Sequence, residues 1–256
     1  MLRLSRRLEM IAEMVPPGSK LADIGSDHAL LPTYLARQGR ITKAVAGEVN
    51  AGPYEAAAKQ VKDAQLGSPI DVRLGDGLAV ISPHEVDVIT IAGMGGALIT
   101  SILEAGTDKL AGVTRLVLQP NVGEYNVRSW LLAHGWVLVD ERILEEDSKI
   151  YEILCAAPPD RADITNDQLY AARVLSDTVT VDREELLKFG PHLLQEPSDV
   201  WFMKWQHELD KLEKIRARLS LSQAEESRRK EQELEREIRT IREVMACLQK
   251  DKASSN

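Results

Sequence analysis

Leu21-Ala-Asp-Ile-Gly-Ser-Asp-His-Ala-Leu30, followed by Ala46-Gly-Glu-Val-Asn50, decides how this chain folds. An apolar strand runs into a glycine turn and a helix opens behind it. A second apolar strand ends on a carboxylate about twenty residues later, the layout of a nucleotide-binding βαβ unit. The turn departs from the dinucleotide form. Counting from Gly25, the second and third glycine places hold Asp27 and Leu30, and Asp23 stands two residues before the first. Acids there repel a pyrophosphate and suit a ligand carrying positive charge, such as the sulfonium and ammonium of S-adenosylmethionine (SAM).

Outward from this unit the alternation continues. Strand patterns fall at Lys20–Ile24, Ala44–Val49, Ile70–Leu74, Val86–Ala92 and Thr114–Leu118. Helical patterns lie between them at Ala29–Gln38, Ala51–Gln65 and Ala97–Ala105, and a further one follows at Tyr125–His134. An amphipathic helix presenting Leu4, Leu8, Ile11, Ala12 and Val15 comes first and stops at Pro16-Pro-Gly18. Trp136–Leu144 and Lys149–Ala156 have no helix between them and predict an antiparallel edge hairpin. Five parallel strands closed by such a hairpin predict an α/β, Rossmann-like class I methyltransferase domain over residues 1–157. A dehydrogenase would continue with a sixth parallel strand.

After Pro158-Pro159 the composition changes, and residues 158–256 are expected to form an all-α domain. Residues 165–195 read as helical, with Pro191 and Pro197 as breaks. Two stripes follow, Trp205, Leu209, Leu212 and Leu219, then Leu234, Ile238, Ile241, Met245 and Leu248. Joined at Ser220-Leu-Ser-Gln223, they predict an antiparallel coiled-coil hairpin, with Asp251–Asn256 frayed.

Composition narrows the class without naming a partner. The chain has 256 residues, 44% hydrophobic and 28% charged, ordinary for a soluble globular protein. No apolar run approaches a membrane span and no secretory signal is apparent, so a cytoplasmic location is expected. Cys155 and Cys247 lie far apart and read as reduced thiols, with no metal site expected. The net charge of −8 argues against nucleic acid, but Val200–Asn256 holds 13 Lys and Arg against 11 Asp and Glu. Net charge speaks to solubility more than to a local binding face.

Open α/β sheets bind ligands at the carboxyl ends of their strands. The cofactor-binding candidates are therefore Asp23, Gly25, Ser26, Asp27, His28, Glu48, Val49, Asn50, Gly75, Asp76, Gly77, Ala92, Gly93 and Gly95. Glu48 suits ribose hydroxyls, the alternative being a plain acid at a helix N-terminus. Asp76 either receives the adenine amino group or is only a turn residue. Asp27 faces the charged donor or caps the following helix, and His28 lies at the mouth or packs on the surface. Three glycines within Gly93-Met-Gly-Gly96 waste helix propensity, which implies a close approach to the backbone.

Together these residues resemble the bacterial tRNA (adenine(22)-N1)-methyltransferase family. The resemblance runs through Leu4-Ser-Arg-Arg-Leu8, Ala22-Asp-Ile-Gly-Ser-Asp-His28, Ala46-Gly-Glu48, Gly75-Asp-Gly77, Ile89-Thr-Ile-Ala-Gly-Met-Gly-Gly96, Leu118-Gln-Pro-Asn121 and Ile143-Leu-Glu-Glu-Asp147. It implies SAM as methyl donor, N1 of a tRNA adenine as acceptor, and a helical C-terminal domain that engages tRNA. Many N-methyltransferases carry a polar residue and an aromatic in the loop after the fourth strand. Here that place reads Ala92-Gly-Met-Gly95, so no catalytic acid carries over. Asp27, Asn121 and Met94 become the candidates beside the acceptor. Arg3, Arg6, Arg7, His28 and Tyr125 become the RNA-binding candidates, with a solvated helix face as the alternative for the arginines. The chain is expected as a monomer or a weak dimer through the coiled coil. Two other functions stay open at this point: a methyltransferase-fold adaptor without activity, and a nicotinamide-dependent oxidoreductase, which Asp27 and the edge hairpin disfavour.

Overall fold

Strands β1 (Ser19–Ile24), β2 (Ile41–Glu48), β3 (Ile70–Leu74), β4 (Val88–Gly95) and β5 (Arg115–Val122) run parallel. Strands β6 (Val137–Glu146) and β7 (Lys149–Ala157) complete the sheet, β7 lying antiparallel between β5 and β6. The order β3-β2-β1-β4-β5-β7-β6 is that of a computed structural model, which describes residues 3–221 and 224–254. The expected edge hairpin is present. Strand order reverses between β1 and β4, and the crevice at such a switch point is where open α/β sheets take ligands.

The central strands are apolar along their length because both faces are covered. Leu21 and Ala22 of β1, Ile89 and Ile91 of β4, and Leu116, Val117 and Leu118 of β5 are fully buried. The covering helices are α1 (Arg6–Met14), α2 (Leu30–Arg37), α3 (Ala51–Asp63), α4 (Gly96–Ala105) and α5 (Glu124–Ala133). Ser5 caps α1 by accepting the Leu8 N–H, and Glu146 at the end of β6 accepts the Arg6 and Arg7 backbone N–H groups. Three otherwise orphaned helix donors are thereby satisfied, and α1 is tied to the edge hairpin. On α5, buried Arg128 pairs with Glu141 of β6 at 2.6 Å and Glu152 of β7 at 2.5 Å.

Beyond the sheet come α6 (Asn166–Leu169), β8 (Arg173–Ser176), β9 (Val179–Val181), α7 (Arg183–Phe189), α8 (Asp199–Leu219) and α9 (Glu225–Ser254). The chain divides into two compact units, Met1–Leu169 and Tyr170–Asn256, so the first continues past the composition break at Pro158-Pro159. The continuous helical reading of 165–195 is corrected: a β8–β9 hairpin interrupts it. Val174, Val179, Thr180 and Val181 are β-branched and favour extended backbone. The helix restarts only at Asp182, whose carboxylate forms a capping box with Glu185.

In this second unit Phe189, Trp201 and Trp205 cluster, and the Trp201 indole N–H donates to the Phe189 carbonyl at 3.0 Å. Leu209 and Leu212 of α8 and Ile238, Ile241, Met245 and Leu248 of α9 bury the expected stripes. Of the expected turn, Ser222 and Gln223 lie outside the described residues. The fraying expected from Asp251 is also corrected, since α9 stays helical to Ser254; Ser255 and Asn256 lie outside the described residues. Cys155 and Cys247 are free thiols. Among the described residues no helix is long and apolar enough to cross a membrane.

Candidate active site

The turn after β1 is strained and is held from below. Gly25 has φ +67°, and Asp27, His28 and Ala29 follow at +44°, +64° and +53°. Three successive non-glycine residues in the left-handed region cost about 1–3 kcal/mol each, and such strain collects at ligand sites. Backbone N–H groups of Gly25 and Ser26 both donate to the Gly47 carbonyl, fastening the turn to β2. Beneath it, buried Asp23 accepts hydrogen bonds from Ser26 Oγ and Thr90 Oγ1, each at 2.5 Å. Burial pushes the Asp23 pKa up, and the two hydroxyls and nearby Asp27 act on it more weakly. Asp23 is thus the post under the turn. Asp27 itself does not cap α2, whose N-cap is Ala29 without a side-chain bond. Its side chain is 86% exposed, 3.7 Å from His28 Nε2.

Glu48 ends β2 and is buried, yet its Oε1 has no hydrogen-bond partner among the described residues. Burial pushes its pKa up; the Asp27 backbone N–H opposes that, and the Asp23 and Asp27 charges add to it. A buried carboxylate oxygen left unmatched is costly unless a donor arrives. The plain helix-terminus reading fits poorly, since α3 is entered through Asn50, two residues further on. Val49 and Asn50 are exposed at this edge. The Gly75 N–H donates to the Glu48 carbonyl, so the β3 loop sits beside β2. Asp76 opens a short 3-10 turn (Gly77–Val80) without capping it. Asp76, Gly77 and Leu98 line a groove of about 490 Å³ with Ser101, Ile102 and Lys109.

The loop at the end of β4 is held by side chains from elsewhere. β4 bulges on either side of Met94, and Gly93 adopts φ +78°. Buried Gln119 of β5 accepts the Gly93 N–H at 3.1 Å and donates to the Pro120 carbonyl and Asn121 Oδ1. Asn121 donates to the Gly93 carbonyl at 2.7 Å. The glycine cluster therefore has a more internal origin than ligand approach alone. A Cβ on Gly96 would strike the Gly123 carbonyl, whereas Gly95 faces open space. The Met94 methyl lies over Gly25, where a Cβ would collide with it.

Between these loops and α1 is a cleft of about 320 Å³, lined by Arg7, Asp23, Ser26, Asp27, Met94 and Asn121 among others. Of the sequence-predicted residues, Arg7, Asp23, Gly25, Ser26, Asp27, Ala92, Gly93, Met94 and Asn121 line this cleft, whereas Asp76 and Gly77 line the other groove. Arg3 is exposed ahead of α1, Arg6 is exposed on its first turn and Tyr125 is exposed on α5, while Arg7 turns inward. Thr90, Gln119 and Tyr151 were not among the sequence candidates. Tyr151 enters the cleft from β7, with the Arg7 guanidinium 5.3 Å from its ring centroid. Gln119 stood within the quoted Gln-Pro-Asn run, but its partners lie on three separate elements.

A family model described as tRNA (adenine(22)-N(1))-methyltransferase matches residues 21–243. The Bacillus subtilis tRNA (adenine(22)-N(1))-methyltransferase is 44% identical over 95% of this chain and 98% of its own length. The crystal structure of the B. subtilis M1A22 tRNA methyltransferase TrmK superposes with a TM-score of 0.85 at 43% identity, covering 95% of this chain and 99% of that one. A putative tRNA (m1A22) methyltransferase of Streptococcus pneumoniae, solved in complex with S-adenosyl-L-methionine, gives 0.78 at 42% identity, covering 94% and 99%.

Proposed function

The chain belongs to the tRNA (adenine(22)-N(1))-methyltransferase family, and from that premise we propose that it methylates N1 of adenine 22 in tRNA, with SAM as donor. One observation carries the reading into this chain's own chemistry: the unpartnered, buried Glu48 oxygen at the switch-point edge, beside an acidic turn. It fits a ligand bringing ribose hydroxyls and positive charge. Glu48 accepts those hydroxyls, and Asp76 receives the adenine amino group. Asp27 faces the cationic end, with Asp23 holding the turn through Ser26.

The donor supplies an electrophilic methyl group on sulfur. At the acceptor, N1 of adenine already carries a lone pair, so no proton must leave before attack. The absence of an acid or base from Gly93-Met-Gly-Gly96 suits this chemistry, and alignment supplies the acceleration. The Gln119–Gly93–Asn121 hydrogen bonds fix that alignment. Asn121 Nδ2 has a second hydrogen beyond the one given to Gly93, and it is directed to the adenine edge. Met94 packs beside the reacting atoms. N1 lies on the Watson–Crick edge, so the base must be unpaired or flipped to enter. His28 at the mouth and Tyr125 meet the displaced nucleotide, and Arg3 and Arg6 meet phosphates. The α8–α9 pair engages the tRNA body.

The test incubates the protein with methyl-labelled SAM and tRNA, and maps the product by mass spectrometry. N1-methyladenosine at position 22 is the expected result. Label at another nucleotide, or none from folded protein, overturns the reading.

A further inference from the structure

Two side-chain amides brace the loop after β4, and the direction in which each points follows from partners that have only one role to play. We propose that Asn121 selects the acceptor base by holding the Hoogsteen edge of the target adenine, with Gln119 as the positioning residue that locks its amide. The inference rests on the function proposed above and deepens it.

Gln119 is fully buried. Its Oε1 takes the Gly93 N–H at 3.1 Å and Arg7 Nη1 at 2.5 Å, and both of those groups only donate. Its Nε2 gives to the Pro120 carbonyl at 2.8 Å, which only accepts, and to Asn121 Oδ1 at 3.3 Å. A flipped Gln119 amide would satisfy none of the three fixed partners. Asn121 inherits its direction: Oδ1 faces the Gln119 donor, and Nδ2 gives to the Gly93 carbonyl at 2.7 Å. Its side chain lines the cleft and has no other partner among the described residues. One hydrogen on Nδ2 and one lone pair on Oδ1 remain. There is room for a purine beside them. Val122 is 68% exposed, and a Cβ on Gly95, its neighbour across the β4–β5 ladder, would meet nothing within 4 Å.

A remaining N–H beside a remaining carbonyl oxygen matches adenine's Hoogsteen edge, where N7 accepts and the N6 amino group donates. Held there, the base keeps N1 clear for the methyl group, which a grip on the Watson–Crick edge would cover. The contact also strengthens during the reaction. As N1 bonds the methyl carbon and the sulfur–carbon bond breaks, positive charge passes from sulfur to the adenine and spreads to N6. No proton moves in this step, and Oδ1 accepts from the increasingly positive N6 amino group. Guanine presents two acceptors on the same edge, O6 and N7, to one donor and one acceptor here. Because Gln119 fixes the amide, Asn121 does not turn to suit it. The rival role for Asn121 is a brace for the Gly93 loop without contact to the base.

The test compares tRNA carrying adenosine at position 22 with tRNA carrying 7-deazaadenosine there, which lacks the N7 acceptor and keeps N1 and N6. Initial rates with SAM give kcat/KM for each. The adenosine-to-deaza ratio is expected to be about threefold to tenfold larger in the wild type than in Asn121→Ala, the scale of one hydrogen bond. Differences in intrinsic N1 reactivity cancel between the two proteins, and a merely structural role leaves the ratio unchanged. Gln119→Glu still accepts from Gly93 and Arg7 but no longer donates to Asn121, so its ratio should fall toward that of Asn121→Ala. If Asn121→Ala fails to fold or to turn over, Asn121→Ser takes its place, keeping a donor for Gly93 but too short to reach the base. Equal ratios in the wild type and the Asn121 variant overturn the proposal in favour of the brace. A wild-type ratio in Gln119→Glu overturns the positioning role. A wild-type protein that does not methylate adenine 22 overturns the proposed function itself, and this inference with it.

Discussion

Two groups of buried carboxylates sit in the first unit, and they behave in opposite ways. Glu141 and Glu152 share Arg128 between them, all three side chains essentially out of solvent. The Arg128 pKa is raised: burial opposes its charge, but the two carboxylates outweigh that and keep it protonated. Among the described residues neither Asp23 nor Glu48 forms an ion pair. Asp23 is satisfied by two hydroxyls, and one Glu48 oxygen has no partner among the described residues. The first group is internally balanced and joins α5 to the edge hairpin. The second is unbalanced and lies at the switch-point crevice. A buried carboxylate completed by its own protein reads as scaffold, and one left incomplete beside a cleft reads as a place for a ligand.

The largest effect that could break this contrast is on stability. Arg128→Met leaves two buried carboxylates uncompensated and should cost about 3–5 kcal/mol in urea unfolding. Glu48→Gln should leave unfolding unchanged or slightly improved, because it removes a desolvated charge. If the two variants unfold alike, the distinction is lost. Binding should then reverse the order. Glu48→Gln is expected to weaken S-adenosylhomocysteine about tenfold to a hundredfold in calorimetry, the scale of losing hydrogen bonds to a charged group.

A smaller effect comes with pH. The folded pKa values of Asp23 and Glu48 are raised above 3.8 and 4.5. The native state therefore binds more protons than the unfolded chain in the interval above those values. Ligand-free stability should fall as pH rises through it, and a donor to Glu48 should offset the fall. Thermal unfolding from pH 5 to 8, with and without S-adenosylhomocysteine, should show ligand stabilisation growing with pH. Glu48→Gln should flatten that growth, and a flat wild-type profile would count against the assignment. The smallest expected change is Asp76→Asn, about threefold to tenfold in cofactor affinity with stability untouched, since one exposed hydrogen bond is at stake.

Much of the first unit could be read before any coordinates because its signals are local. Parallel strands buried on both faces must be apolar runs, and each ends in a loop whose glycines and acids mark the ligand edge. Asp23, Gly25, Glu48 and Asp76 were legible for that reason. The β8–β9 hairpin was not: Arg173–Val181 is short, half-buried and without a clean alternation, so helix and strand patterns compete there. Within the site, the assignment of Asp27 as helix cap or ligand group depended on backbone dihedrals. The capping geometry excludes the first and leaves its carboxylate at the cleft.

The sequence by itself determined the βαβ start, the acids in the turn behind β1, and a loop after β4 that carries no acid or base. These follow from residue type and spacing along one chain segment. Only the tertiary structure decided that Arg7 from α1, Gln119 and Asn121 from β5, and Tyr151 from β7 gather around Gly93. Their meeting is set by strand order and by how α1 lies on the sheet, and a contact such as the Arg7–Gln119 hydrogen bond, 112 positions apart, leaves no periodicity in the sequence to read.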